Sequence, residues 1–175
     1  FIGGFGHPPN RDAVLWFVAE VMPRLRAAGD GIVFHVVGAN PPEEVQALAC
    51  ADVEIHGYLA ELEPLLGDRR LAVAPLRYGA GVKGKMLTTM TAGLPMVATA
   101  LAAEGLQLRH GVTVLRGDDA ESLAAGVLEL HRCQPLWQEM RAAALEHAQR
   151  GWGGESCRAR LRAICAEVGL PVPAD

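Results

Sequence analysis

Short apolar runs alternating with segments of helical period constrain this chain more than any other feature. The runs are FIGG (1–4), GIVFHVVG (31–38), VEIHG (53–57), LAVAPL (71–76), LPMVAT (94–99) and VTVLR (112–116). Between them lie stretches whose apolar residues recur at helical spacing, at 12–28, 41–50, 60–68 and 86–92. Asp12 is placed to cap the first of these and Gly29 to stop it. Three further helices are expected at 118–133, 135–150 and 152–169, the first opened by an Asp cap and an acidic first turn. Strands that alternate with helices pair in parallel, with the helices wound over both faces. The expected fold is therefore α/β, a doubly wound, parallel, six-stranded Rossmann-like sheet with C-terminal helices.

Such sheets bind ligands at the carboxyl ends of their strands, where the strand order reverses. In the common order 3-2-1-4-5-6 the first and fourth runs are neighbours, so the loops after them line one crevice. Both loops are rich in glycine: GGFGHPPN (3–10) and RYGAGVKGK (77–85). The second joins an apolar run to a helix start, an arrangement that gathers free backbone N–H groups and a positive dipole end around an anion.

Composition removes several other functions. A net charge of −4 argues against a general nucleic-acid binder. No apolar stretch approaches the roughly 20 residues of a membrane span. Half of the residues are hydrophobic and 21% are charged, as in globular proteins generally. None of the four cysteines forms a C-x-x-C pair or has zinc-ligand spacing with a histidine. They read as plain thiols of a reducing, cytoplasmic compartment. His35 and His56 lie in or beside strand-like runs and read as structural. Trp16 and Phe17 read as core, and Trp152 as the anchor of the last helix. The chain opens on an apolar strand end without a Met, which is expected of a segment cut from a longer chain with the start of its first strand trimmed.

The loop at 77–85 nearly fits two phosphate motifs. As G-x-x-x-x-G-K-[ST] it supplies Gly79, Gly84 and Lys85, but Met86 stands where a hydroxyl should hold magnesium. As G-x-G-x-x-G it supplies Gly79, Gly81 and Gly84, with Glu104 20 residues beyond Gly84. That fingerprint belongs to a first βα unit, however, and three units precede this one.

Taken in order, GGFGHPPNRDAVLWF, HVVGANPPEEV, VEIHGYLAEL, APLRYGAGVKGKMLTTMTAGLPMVAT and AAEGL resemble the C-terminal donor-binding domain of a GT-B glycosyltransferase of the family 4, or group 1, type. The resemblance covers essentially the whole chain. It implies a donor domain over residues 1–170, a tail at 171–175 that frays, and an acceptor-binding N-terminal domain that is absent. It also implies a nucleotide diphosphate sugar as donor, no metal and no further cofactor. The acceptor would be a glycan, lipid or small molecule such as a cell-envelope polysaccharide, transfer would be hexosyl with retention, and the full-length protein could lie peripherally on a membrane.

By the same resemblance Gly81, Val82, Lys83, Gly84 and Lys85 hold the phosphates, with Lys85 the catalytic ammonium that steadies the leaving diphosphate. Cations are disfavoured at helix N-termini, so Lys85 at a helix start points independently to an anionic ligand. Lys83 reads as the more solvent-facing of the two. Gly3, Gly4 and Phe5 would bring backbone to the same diphosphate, and Tyr58 would lie near the nucleobase. Arg77 is a surface residue or a second phosphate contact, and Glu104 a turn residue or a sugar contact. His7 and Asn10 either shape the first loop or touch the ligand.

The chain departs from the family at its paired glutamates: Ala80 and Thr88 occupy those positions. A threonine hydroxyl can accept one ribose hydrogen bond, not the bidentate contact of a carboxylate. Two other readings therefore stay open, a non-catalytic nucleotide-binding or interaction module and a sugar-nucleotide epimerase of the same architecture.

Overall fold

The computed structural model describes residues 1–170. The tail at 171–175, expected to fray, lies outside the described residues. In chain order the elements are α1 (Pro8–Trp16), a π-helical segment (Phe17–Val21), α2 (Met22–Ala28), β1 (Phe34–Val37), α3 (Glu43–Gln46), β2 (Val53–Gly57), α4 (Glu63–Gly67), β3 (Ala72–Ala74), α5 (Gly84–Thr91), β4 (Met96–Ala98), α6 (Ala100–Ala103), β5 (Leu115–Arg116), α7 (Ala120–Arg132), α8 (Gln134–Trp152) and α9 (Gly154–Glu167).

All of the strand pairs are parallel, β1 with β2, β3 with β4 and β4 with β5. The first apolar run contributes one bridging residue, Ile2, beside Val37. Its backbone is held on both sides of that bridge, by Val37 N–H to Phe1 O and Gly3 N–H to Val37 O, at 2.9 and 2.8 Å. The α/β class and its parallel pairing are as expected; the single six-stranded sheet is not. The strands run in the order β2-β1-Ile2 and then β3-β4-β5, as two separately bonded sheets. Beyond that bridge the run stays beside the segment after β1, with Phe5 N–H donating to Ala39 O at 3.0 Å. A cavity of about 420 Å³, bordered by Phe1, Ile2, Phe34, Ala72 and Val73 among others, separates the two edges.

Helices cover both faces, as side-chain alternation along β1 shows. Phe17 meets Phe34 from one face, with ring centroids 4.5 Å apart. Arg69, just past α4, reaches His35 on the other face. The central strands read AVA and MVA and are wholly buried, as parallel strands between two helical layers should be. Met86, Met90, Met96 and Met140 fill the space between these strands and α5, α7 and α8.

Several boundaries differ from the sequence expectation for identifiable reasons. The first helix starts at Pro8, not at Asp12, because two prolines fit its first turn. Asp12 is thereby inside the helix and pairs with Arg77 instead of capping. The run ALAA, which follows the fifth apolar run, forms one turn of helix because Thr99 Oγ1 accepts the Ala102 N–H at 3.1 Å. The Asp cap before α7 is as expected, with Asp119 and Ser122 forming a reciprocal capping box. Phe17 is core, as expected, whereas Trp16, expected in the core, is only partly buried against it, and Trp152 closes α8, also partly buried against the core.

Candidate functional site

The loop after β3 is built around two glycines that no other residue replaces without strain, Gly79 (φ 120°) and Gly81 (φ 79°). The Lys83 ammonium closes this loop from within. It donates to Gly81 O at 2.6 Å and Gly79 O at 3.3 Å, and Lys83 is only 8% exposed. The expectation that Lys83 faces solvent is thus corrected: carbonyls that the two glycine turns aim inward recruit the ammonium. Lys83 then leads into α5, whose first turn carries no side-chain cap. Met86 N–H is taken by Lys83 O at 2.9 Å, which leaves the N–H groups of Gly84 and Lys85 available to an outside acceptor.

Lys85, on the first turn of α5, crosses to the other glycine loop and donates to Asn10 Oδ1. Asn10 is buried, and its Nδ2 donates to Gly4 O at 2.8 Å. The Lys85 ammonium also lies 4.5 Å from the centre of the Phe1 ring. Burial, reinforced by the neighbouring Lys83 charge, lowers its pKa to about 8. A partly desolvated ammonium holding one neutral partner is poised to take an anion, whose opposite charge would offset both causes of the shift.

The two loops also meet elsewhere. A Cβ on Gly79 would lie 3.2 Å from Pro9 Cγ. Arg77 forms a two-pronged ion pair with Asp12 and stands 5.3 Å over the Trp16 ring. Its guanidinium is engaged in fastening the loop to α1. At the base, a Cβ on Gly3 would meet the Asn10 side chain at 2.8 Å, and one on Gly38 would meet Gly3 O at 2.0 Å. The crevice floor therefore requires glycine at 3 and 38.

The remaining sequence-selected residues are spread around this crevice. In the first loop, the N–H groups of Gly3 and Phe5 donate to Val37 O and Ala39 O, and the Phe5 side chain is buried. Gly4 alone of those three faces open space where a side chain would be. Val82 is half exposed and touches the turn at Gly105, where an added Cβ would meet it at 3.2 Å. That contact brings exposed Glu104 to the rim of the loop. Glu104 also borders an open depression of about 550 Å³ with Leu101, Gln107 and Arg116. Thr88 is exposed, and its hydroxyl donates back to Gly84 O at 3.2 Å. Tyr58, just past β2, is 74% exposed.

Asn10 was placed in the first loop by sequence but not singled out as the link to Lys85. Its signal is an amide four residues before the apolar core of a helix and directly after two prolines. A second constellation, His35, Glu54 and His56, is brought together by strand pairing, which sequence spacing does not disclose. Among the described residues no helix is long and apolar enough to cross a membrane.

No curated protein sequence matches the chain significantly. Solved structures do match over nearly its whole length. A glycosyltransferase from Rickettsia africae ESF-5 superposes with a TM-score of 0.77 at 12% identity, covering 95% of this chain and 47% of that one. TarM of S. aureus gives 0.75 at 19%, covering 93% and 34%. HepE of Anabaena, crystallised with UDP and glucose, gives 0.73 at 14%, covering 85% and 44%. The chain thus spans between a third and a half of the length of these structures, and shares their α/β fold. The sequence profile described as glycosyl transferases group 1 matches residues 1–133, and the chain belongs to that family.

Proposed function

We propose that this chain is the donor-binding, C-terminal domain of a family 4 type glycosyltransferase. It binds a nucleotide diphosphate sugar in the crevice between its two glycine loops. The observation that carries this reading is Lys85, a half-buried ammonium at the uncapped start of α5, tied through Asn10 to the first loop. Both loops thereby face one anion. Lys85 and the first-turn N–H groups of α5 are arranged to stabilise the charge that grows on the departing diphosphate, a stabilisation larger in the transition state than in the ground state. No metal is required where an ammonium and backbone donors supply this charge. In this reading Lys83 and Arg77 hold the loop in shape and leave the ligand contact to Lys85, Gly4 and the 81–84 backbone.

Uridine is the base we favour, because HepE and the pneumococcal transferase GtfA were both crystallised with UDP, at 14% and 15% identity to this chain. Tyr58 would line the base and Glu104 the sugar. Transfer would be hexosyl and retaining, to an acceptor held by a domain outside these residues. Titration with UDP-, GDP- and ADP-sugars tests the reading: one base should be preferred, and Lys85→Ala should lose affinity. The isolated chain should bind donor without turning it over, so robust transfer by it alone would contradict the two-domain arrangement.

A second reading has one observation in its favour. Thr88 offers a hydroxyl already bonded to Gly84 O where a ribose-binding carboxylate is expected. A module that binds nucleotide without catalysis would have this feature, and would show donor binding with no transfer in the full-length protein.

A further inference from the structure

Away from the glycine loops, three potential metal ligands converge on the face of the β1–β2 pair opposite Phe34. The parallel register sets His35 beside Glu54. Strand alternation then returns His56 to the face of Glu54. His35 Nδ1 lies 3.0 Å from His56 Nε2 and 3.2 Å from Glu54 Oε2, and the latter two atoms are 3.5 Å apart. Ligand atoms bound at roughly 2.0–2.1 Å around a tetrahedral ion are about 3.3–3.4 Å from one another. The three atoms therefore outline one face of such a tetrahedron. One hydrogen bond accounts for one of these approaches, but not for all three.

The site is open on one side. The side chains of His35, His56 and Glu54 are 14%, 25% and 51% exposed. His35, Glu54 and Arg69 also border the cavity between the two sheets. A fourth ligand position can thus be filled by water. Two imidazoles and one carboxylate suit a borderline ion and discriminate against magnesium and calcium, which prefer all-oxygen shells. We propose that His35, Glu54 and His56 form a binding site for a divalent transition ion of the zinc type, which clasps β1 to β2 immediately before Gly57 and Tyr58.

Arg69 gives the proposal a specific signature. Its guanidinium donates to His35 Nε2 at 2.7 Å and to Leu65 O at 3.2 Å. While Nε2 accepts that bond, the neutral ring carries its proton on Nδ1. A metal at Nδ1 requires the other tautomer, with the proton on Nε2, and Arg69 must let go. Arg69 and the ion therefore compete for His35. An acceptor at position 69 would reverse the relation, because metal-bound histidines donate their second N–H to an oxygen.

The test uses the full chain, stripped with chelator and titrated with Co²⁺ and then Zn²⁺. The expected result is one Co²⁺ per chain, with a tetrahedral ligand-field spectrum that lacks a thiolate charge-transfer band. Zn²⁺ should displace Co²⁺ and raise the melting temperature. Glu54→Gln and His56→Asn should each weaken binding by about tenfold or more, while Arg69→Gln should tighten it by about tenfold. Glu54→Gln replaces a half-exposed carboxylate by an isostere and keeps the test valid if His56→Asn folds poorly. No Co²⁺ uptake at micromolar concentration, a thiolate band, or binding indifferent to Glu54→Gln would each overturn the proposal.

Discussion

Asn10 and Lys85, 75 residues apart in sequence, meet between the two glycine loops: the ammonium donates to Oδ1, while Nδ2 of the same amide holds Gly4 O. One buried side chain thus sets the distance between the two walls of the crevice. Asn10→Ala should leave Gly4 O and the Lys85 ammonium without their partner, a cost of about 1–3 kcal/mol in stability. Donor affinity should fall by about tenfold as Lys85 loses its position. Urea denaturation and calorimetric titration measure the two effects, and a variant with wild-type donor affinity would remove Asn10 from the site.

The lowered Lys85 pKa makes two pH dependences of opposite sign. Binding needs the ammonium, so affinity for a sugar nucleotide should fall as pH rises through about 8. Between pH 7 and 8.5 the protonated fraction of the free protein drops by about fourfold, and affinity should follow. Folding stability should move the other way. Below about 8 both folded and unfolded chains carry this proton. Between about 8 and the ordinary 10.5 only the unfolded chain does, so the Lys85 contribution to stability rises with pH over that interval. Lys85→Met should remove both trends in titrations and melts across this range.

Gly38 and Gly4 should separate architecture from ligand contact. A Cβ on Gly38 would sit 2.0 Å from Gly3 O, so Gly38→Ala should destabilise the fold by about 1–3 kcal/mol or more. Gly4 has open space at that position, and Gly4→Ala should change stability by less than about 0.5 kcal/mol. If the diphosphate approaches the Gly4 backbone, Gly4→Ala should nevertheless weaken donor binding. Thermal melts paired with donor titrations check both statements.

Thr88 lies one helical turn beyond Gly84 on the same face of α5. If the nucleotide ribose reaches this face, Thr88→Glu should strengthen donor binding by about tenfold, the worth of one charge-assisted hydrogen bond. Unchanged or weaker binding, measured by calorimetry, would place the ribose elsewhere.

The alternation of apolar runs and helical segments made the parallel α/β fold legible, because buried parallel strands such as Ala72–Ala74 and Met96–Ala98 read as unbroken apolar runs. The meeting of the two glycine loops was legible too, through strand order. What sequence did not disclose were pairings across long separations. Asp12 reads as a helix cap until Arg77 is seen to claim it. Lys83 reads as a surface lysine until the carbonyls of Gly79 and Gly81 turn inward to hold it. His35, Glu54 and His56 read as ordinary strand residues until the β1–β2 register joins them. Side-chain pairing of this kind depends on tertiary register, which a linear pattern does not carry.

The most direct test of the central claim is calorimetric titration of the chain with a UDP-sugar, for the native protein, Lys85→Ala and Lys85→Arg. Native protein should bind without added metal. Lys85→Ala should lose about 1.5–3 kcal/mol, roughly 10- to 150-fold in affinity, with Lys85→Arg between the two. Donor binding unaffected by Lys85→Ala, or no binding of any sugar nucleotide by the native protein, would contradict the account.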